Sequence, residues 1–170
     1  QVVPSDLYTY SDRKQLSYSI KVNGEIQQSN PVNGYFSIDR QWKKGDVVEV
    51  HFDMEPRTVK AHSAVEADRG KLAVERGPVV YCAEWPDNDF SVLSVIMNRK
   101  PEFKVVEKPA LLKGITQLQT DAQTLSYNKA GKIEARDVTL TLIPYYAWAH
   151  RGSGEMAVWF PDELRATRPV

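Results

Sequence analysis

Antiparallel β-sandwiches are predicted for this chain by three observations. Apolar residues recur mainly with a period of two, turn-forming residues punctuate the chain at intervals of roughly 8 to 12 residues, and no stretch carries the periodicity of a long helix. A period of two places successive side chains on opposite faces of a strand, so a sheet with one wet face shows it directly. With 170 residues and 42% hydrophobic content, the all-β chain has enough apolar side chain to bury a core.

The first element spans residues 16–22, where Leu16, Tyr18, Ile20 and Val22 share a face, and Asn23-Gly24 follows at once. That dipeptide reaches the positive φ angles of a tight hairpin, so the chain reverses there. Residues 34–40 read as a second strand beyond Asn33-Gly34. Lys43-Lys44-Gly45-Asp46 is a polar turn, and residues 47–54 form the clearest strand, with Val48, Val50, Phe52 and Met54 on one side. Residues 59–65 are a weaker candidate. Leu72-Ala73-Val74-Glu75 and residues 78–85 make a nearly continuous apolar run broken at Arg76-Gly77, the pattern of a central strand covered on both faces. Pro78 fixes φ and lacks a donor, which suits the start of a strand, while Gly77 permits close backbone approach. Arg76 is then placed to pair a carboxylate or cap carbonyls.

Trp85-Pro86-Asp87-Asn88-Asp89 has turn chemistry and is the expected domain boundary. Residues 1–86 would form one small sandwich and residues 87–170 a second, smaller one in tandem, with a final strand able to return to the first. Beyond the boundary, short strands are expected at 92–97, 103–106, 114–119 and 123–127, with a single helical turn after Pro109. Asn128-Lys129-Ala130-Gly131-Lys132 is a hairpin tip, 137–143 a further strand, and 155–160 the last, after the loop Arg151-Gly152-Ser153-Gly154.

Charge narrows the function classes. Twenty-two basic residues balance 22 acidic ones, which leaves no electrostatic footprint for nucleic acid or an anionic membrane. No apolar run reaches the ~18 to 20 residues of a membrane helix, and no signal-peptide pattern is present. The chain begins at Gln1, as expected of a processed protein or a piece of a longer one. Cys82 is the single cysteine, so no intramolecular disulfide is possible and the compartment stays open.

Candidate chemistry is sparse. Glycosidic hydrolysis needs two carboxyl groups about 5 to 9.5 Å apart across the bond. Asp46, Glu49, Asp53 and Glu55 are numerous enough, but they fall in a turn, on the solvent face of a strand and near its end, as a one-sided sheet requires. Zinc needs three or four ligands, whereas Cys82 stands alone and His51, His62 and His150 are scattered. No metal or cofactor site is therefore expected. Within its apolar run the Cys82 thiol reads as a small buried side chain rather than a nucleophile. No Ser-His-Asp order, phosphate-binding loop or nucleotide fingerprint stands out. Among four tryptophans and eight tyrosines, Trp42 and Trp148 fall at strand ends, where binding surfaces form. Together with His150 and Arg151 they are the candidate contact for a sugar or another domain, with core packing as the competing role. Trp159, inside an alternating strand, reads as core.

Several motifs occur in a telling order: Val22-Asn23-Gly24, Gly34-Tyr35 leading to Ile38-Asp39-Arg40 with Trp42, Gly45-Asp46, Arg76-Gly77-Pro78-Val79-Val80-Tyr81-Cys82-Ala83-Glu84, Ile143-Pro144-Tyr145-Tyr146-Ala147-Trp148-Ala149-His150-Arg151-Gly152, and Met156-Ala157-Val158-Trp159. In that order they resemble the post-barrel region of glycoside hydrolase family 127, the β-L-arabinofuranosidase family. The resemblance implies a bacterial parent, periplasmic or secreted, whose (α/α)6 barrel removes β-linked L-arabinofuranose from plant-derived glycans. It also implies that zinc, its cysteine and glutamate ligands, the cysteine nucleophile and a glutamate acid/base all lie in that barrel. None of these has a counterpart here. The implied role is then a non-catalytic accessory region whose partner is the barrel of the same parent chain, with oligosaccharide as a further partner. The alternatives are an autonomous carbohydrate-binding module and an immunoglobulin-like adhesion or spacer domain. A support region should expose an apolar patch, a binding module an aromatic strip, and a spacer neither.

Overall fold

The computed structural model describes residues 7–11, 17–28 and 30–170. The chain forms two compact units, Lys14–Glu55 and the larger Gln1–Arg13 with Pro56–Val170. In chain order the strands are β1 (Tyr8–Tyr10), β2 (Tyr18–Val22), β3 (Glu25–Ile26), β4 (Val48–Phe52), β5 (Pro56–Ala61), β6 (Lys71–Arg76) and β7 (Val79–Glu84). They continue with β8 (Val95–Met97), β9 (Lys104–Lys108), β10 (Ile115–Tyr127), β11 (Ile133–Pro144), β12 (Met156–Ala157) and β13 (Phe160–Pro161). Among the described residues the helical segments are three-residue 3-10 turns, so the fold is all-β, as expected.

In the smaller unit the sheet order is β3-β2-β4, antiparallel throughout. Asn23 and Gly24, at φ 53° and 82°, turn β2 back into β3. The Asn23 side chain then ties this turn to the next one. Its amide donates to Asp46 Oδ1 at 2.9 Å, and its oxygen accepts the Val47 N–H at 2.9 Å. Asp46 Oδ2 also accepts the Lys43 N–H at 2.8 Å. The Asn23 hydrogen bond, followed by that from Lys43, holds the Asp46 carboxyl below its ordinary value of 3.8. Its bonds are thus made above that value and are lost as pH falls through the lower folded one.

Two expectations change in this unit. Residues 34–40 form no strand; Tyr35 contributes only the isolated Val32–Tyr35 bridge. The start of the first strand at Leu16 lies outside the described residues. β4 forms as expected, and its Val48, Val50 and Phe52 pair across from Val22, Ile20 and Tyr18. Ile20 and Val22 are buried, yet Val48, Val50 and Phe52 remain about half exposed. The apolar face is made but left open along its β4 side.

The larger unit is one twisted antiparallel sheet in the order β1-β5-β6-β7-β11-β10-β8, with β9 on β10, β12 on β7 and β13 on β6. Its main core draws Leu72 and Val74 from β6, Tyr81 and Ala83 from β7, Leu118 and Ala122 from β10, Leu140 and Leu142 from β11, and Phe160 from β13. β13 also lies against β8, so the sheet curls around these side chains in the manner of a sandwich. On the opposite face Cys82, Ile115, Ile143 and Ala147 make a second cluster. β7 is accordingly buried on both faces, as its unbroken apolar run predicts. Gly77-Pro78 proves to be the two-residue loop of the β6–β7 hairpin, with Arg76 opposite Val79 and Gly77 at φ 57°. Glycine at the first position of such a loop supplies the positive φ that matches strand twist. The segment after Pro109 is not helical; Leu112, Lys113 and Gly114 turn it with left-handed φ angles.

The division expected at residues 85–90 is absent. β7, before it, pairs with β11, after it, and β12 and β13 return to β7 and β6. The chain divides instead at 13/14 and 55/56. Turn chemistry marks a change of direction, and a turn inside a sheet looks the same as one between domains. β12 and β13 turn back to β7 and β6 within the one larger unit, not from a second sandwich to a first.

Cys82 is completely buried, and burial pushes its thiol up to about 12. At pH 8 it should therefore react with an aromatic disulfide reagent only after denaturation. Labelling of the folded protein at the rate of a free thiol would contradict the placement of Cys82 between β6 and β11.

Candidate functional site

Three of the four candidate contact residues lie on the segment that follows β11. Pro144 ends that strand, and Tyr145–Ala147 makes a 3-10 turn closed by the Trp148 N–H donating to the Tyr145 carbonyl at 3.1 Å. Residues three apart eclipse in 3-10 geometry, so the Tyr145 and Trp148 rings stack, with centroids 5.9 Å apart and planes within 15°. They stay 44% and 40% exposed, and Tyr146 is more exposed still. The result is an aromatic shelf. His150, also exposed, folds its Nδ1 to within 3.1 Å of the Ala147 carbonyl.

Arg151 has a different role. Its Nη2 reaches Glu84 Oε2 at 2.6 Å and also Asp87 Oδ2, while Nη1 donates to Asp87 Oδ1 at 2.8 Å. The fork thus grips Asp87 with both terminal nitrogens, the strong geometry for a guanidinium and a carboxylate. The Glu84 and Asp87 side chains are only 1% and 8% exposed. The hydrogen bonds that Arg151 donates to Asp87, opposed by desolvation and reinforced by Glu84, raise the Arg151 pKa, so the guanidinium remains charged. Remaining lone pairs are used as well. Glu84 Oε1 accepts the Ala149 N–H at 2.9 Å, and Asp87 Oδ1 accepts from Gln117 Nε2 at 3.1 Å. Ala149 sits at φ 66°, a left-handed conformation that costs a non-glycine residue about 1 to 2 kcal/mol, and its amide is anchored by a buried carboxylate.

Asn88 completes the arrangement. The β7–β11 pairing ends with Ala83 opposite Leu142, and Glu84, the last residue of β7, is not paired with Thr141, the next residue in register. The Asn88 side chain takes that place, accepting the Thr141 N–H at 3.0 Å and donating to the Thr141 carbonyl at 3.1 Å and the Glu84 carbonyl at 2.9 Å. One side-chain amide thus continues the ladder. Nearby, Gly154 admits the Trp85 indole, since a Cβ there would lie 2.0 Å from Trp85 Cδ1.

Trp42 belongs to the smaller unit. It is exposed, with the Arg40 guanidinium 5.2 Å from its ring centroid. Trp159 is half-buried rather than core, because Phe160, pairing with Leu72, takes the inward position. Sequence reasoning missed Glu84, Asp87 and Asn88, and Tyr145 as the partner of Trp148. The available signal was an acid ending an apolar strand, with a second acid three residues later and an arginine in a later glycine-rich loop.

Among the described residues no three His, Cys, Asp or Glu side chains converge, and Cys82 is a buried thiol. Glu84 and Asp87 are both consumed by Arg151. Replacing Arg151 with alanine would leave two buried carboxylates unpaired, and should destabilise the fold by about 3 to 5 kcal/mol. Arg151→Lys, which keeps the charge but loses the fork, should fall between in a denaturant titration. An alanine variant as stable as the parent would refute the assignment.

Comparison with known proteins agrees with this division into units. Residues 56–161 match the family model described as the glycoside hydrolase family 127 C-terminal domain, and residues 13–54 match the β-L-arabinofuranosidase GH127 middle domain. A non-reducing end β-L-arabinofuranosidase of Bifidobacterium longum subsp. longum is 32% identical in a match that covers 84% of this chain and 24% of that protein. A solved GH127 β-arabinofuranosidase superposes with a TM-score of 0.87 at 61% identity, over 98% of this chain and 26% of its own. A GH127 β-L-arabinofuranosidase from Geobacillus stearothermophilus T6 gives 0.71 at 32% identity, over 86% and 25%. This chain spans about a quarter of the length of each, and with matches to two consecutive domains of one family it belongs to glycoside hydrolase family 127.

Proposed function

We propose that these residues act as the non-catalytic middle and C-terminal β-sandwich region of a larger β-L-arabinofuranosidase of plant-derived glycans, supporting its (α/α)6 catalytic barrel. The observation that carries this reading is the match at 61% identity to one quarter of a GH127 β-arabinofuranosidase. The chemistry of the described residues supports it. The lone thiol is buried, and the neighbouring carboxylates of Glu84 and Asp87 are neutralised by Arg151. The half-exposed Val48, Val50 and Phe52 are the kind of apolar face a support region presents to another part of its own protein.

The carbohydrate-binding module is the second reading, and the stacked, half-exposed Tyr145 and Trp148 favour it, since flat aromatic surfaces suit sugar rings. A bare spacer would need neither feature. Under the support reading, the full-length protein releases L-arabinose from a β-L-arabinofuranosyl substrate, and Trp148→Ala alters its stability or turnover without abolishing hydrolysis. The 170-residue chain alone, checked for folding by its near-ultraviolet circular dichroism, releases none. Zinc-dependent release by that chain alone would overturn the assignment.

A further inference from the structure

A second concavity lies in the larger unit. This cleft of about 740 Å³ is lined by Arg69, Lys71, Arg165 and Arg168, by Glu66, and by the Trp159 indole among others. The chain as a whole is neutral, so four cations against one carboxylate is a local concentration of charge. Fold elements far apart in sequence build it. Arg69 and Lys71 flank the turn into β6, Trp159 lies between β12 and β13, and Arg165 and Arg168 follow from the 3-10 turn Leu164–Ala166. Gly70, at φ 73°, brings the first wall against Ala166; a Cβ there would lie 3.3 Å from the alanine methyl.

The groups are partly held in place. Lys71 Nζ donates to the Ala67 carbonyl at 2.7 Å, and Arg69 Nη2 to the Ser63 carbonyl at 2.8 Å, with Glu66 at 3.6 Å. Arg165 pairs with Glu163, which also meets Arg99, so with Glu66 and Glu163 set against Arg69, Lys71, Arg165 and Arg168 the wall keeps a net positive charge of two. The Tyr8 ring stacks on Trp159 at 5.9 Å and 26°, stiffening the indole that lines the cleft.

We propose that this cleft binds a carboxylated oligosaccharide, a chain containing uronic acid residues. Arginine forks suit carboxylates, an indole suits the apolar face of a sugar ring, and the volume falls within the range of about 300 to 1,000 Å³ usual for small-ligand sites. A small inorganic anion would use neither the indole nor most of that space. The site is separate from the Tyr145 and Trp148 shelf, and it rests on no step of the function proposed above.

The test is calorimetric titration of the full-length protein with oligogalacturonate, a neutral arabino-oligosaccharide and inorganic phosphate, each at low and high salt. Oligogalacturonate should bind saturably and more weakly as salt screens the arginines, while the other two should not saturate. Arg165→Ala and Arg168→Ala, in an exposed segment, should each weaken binding by roughly ten-fold or more, as expected for a lost charge-assisted hydrogen bond, with an unchanged melting temperature. Trp159→Phe should weaken it with less salt sensitivity in the loss. Absence of saturable oligogalacturonate binding, binding indifferent to both arginine variants, or phosphate binding of equal strength would each overturn the proposal.

Discussion

The Arg151 guanidinium, held between Glu84 and Asp87, is the interaction on which the larger unit's second face depends. Along β7 the odd residues Val79, Tyr81 and Ala83 point into or toward the main core, and the even residues Cys82 and Glu84 point to the other side. That other side has too few strands to cover itself. The segment after β11 closes it: Ala147 packs with Cys82 and Ile143, and Arg151 lands on Glu84, one step further along the same strand face. An apolar contact and an ionic one thus pin the same loop at two successive points of one strand.

A buried ion pair is a poor source of net stability, because desolvation offsets most of its Coulomb attraction. What this one supplies is a fixed position. The fork geometry allows one orientation of Asp87, Glu84 then has one free oxygen for the Ala149 amide, and Asn88 is left facing Thr141. Each bond specifies the next. The backbone conformation of Ala149 is held against its own preference, and the Tyr145 and Trp148 shelf is carried outward on a rigid base rather than on a free loop. A surface so fixed can contact a neighbouring domain or a sugar ring with little loss of conformational entropy.

Much of this was legible in the sequence, and what was not shares one cause. Local rules located the Asn23-Gly24 turn, the doubly covered β7 and the buried Cys82. Errors arose where the outcome depends on which segments meet in space. Residues 34–40 alternate like a strand yet make only the isolated Val32–Tyr35 bridge. Trp85-Pro86-Asp87-Asn88 reads as a linker, yet Asp87 bonds to Arg151 and Gln117, and Asn88 to Glu84 and Thr141. Arg151 reads as an exposed loop cation, and only the three-dimensional path of β7 reveals two buried carboxylates opposite it. Trp42 and Trp148, alike in sequence context, belong to different units. The family resemblance supplied what local rules could not, because it uses the order of many weak motifs at once.

The claim that buried side chains anchor this loop to the sheet is tested most directly by residue-resolved hydrogen exchange at the Ala149 and Thr141 amides. Neither bonds to a backbone partner in this account; the first is held by the Glu84 carboxylate and the second by the Asn88 amide. Both should exchange as slowly as the amides of β7 and β11, and Ala149 should do so despite lying in a loop. Exchange of Ala149 at the rate of an exposed loop amide, with Thr141 no slower, would contradict the account.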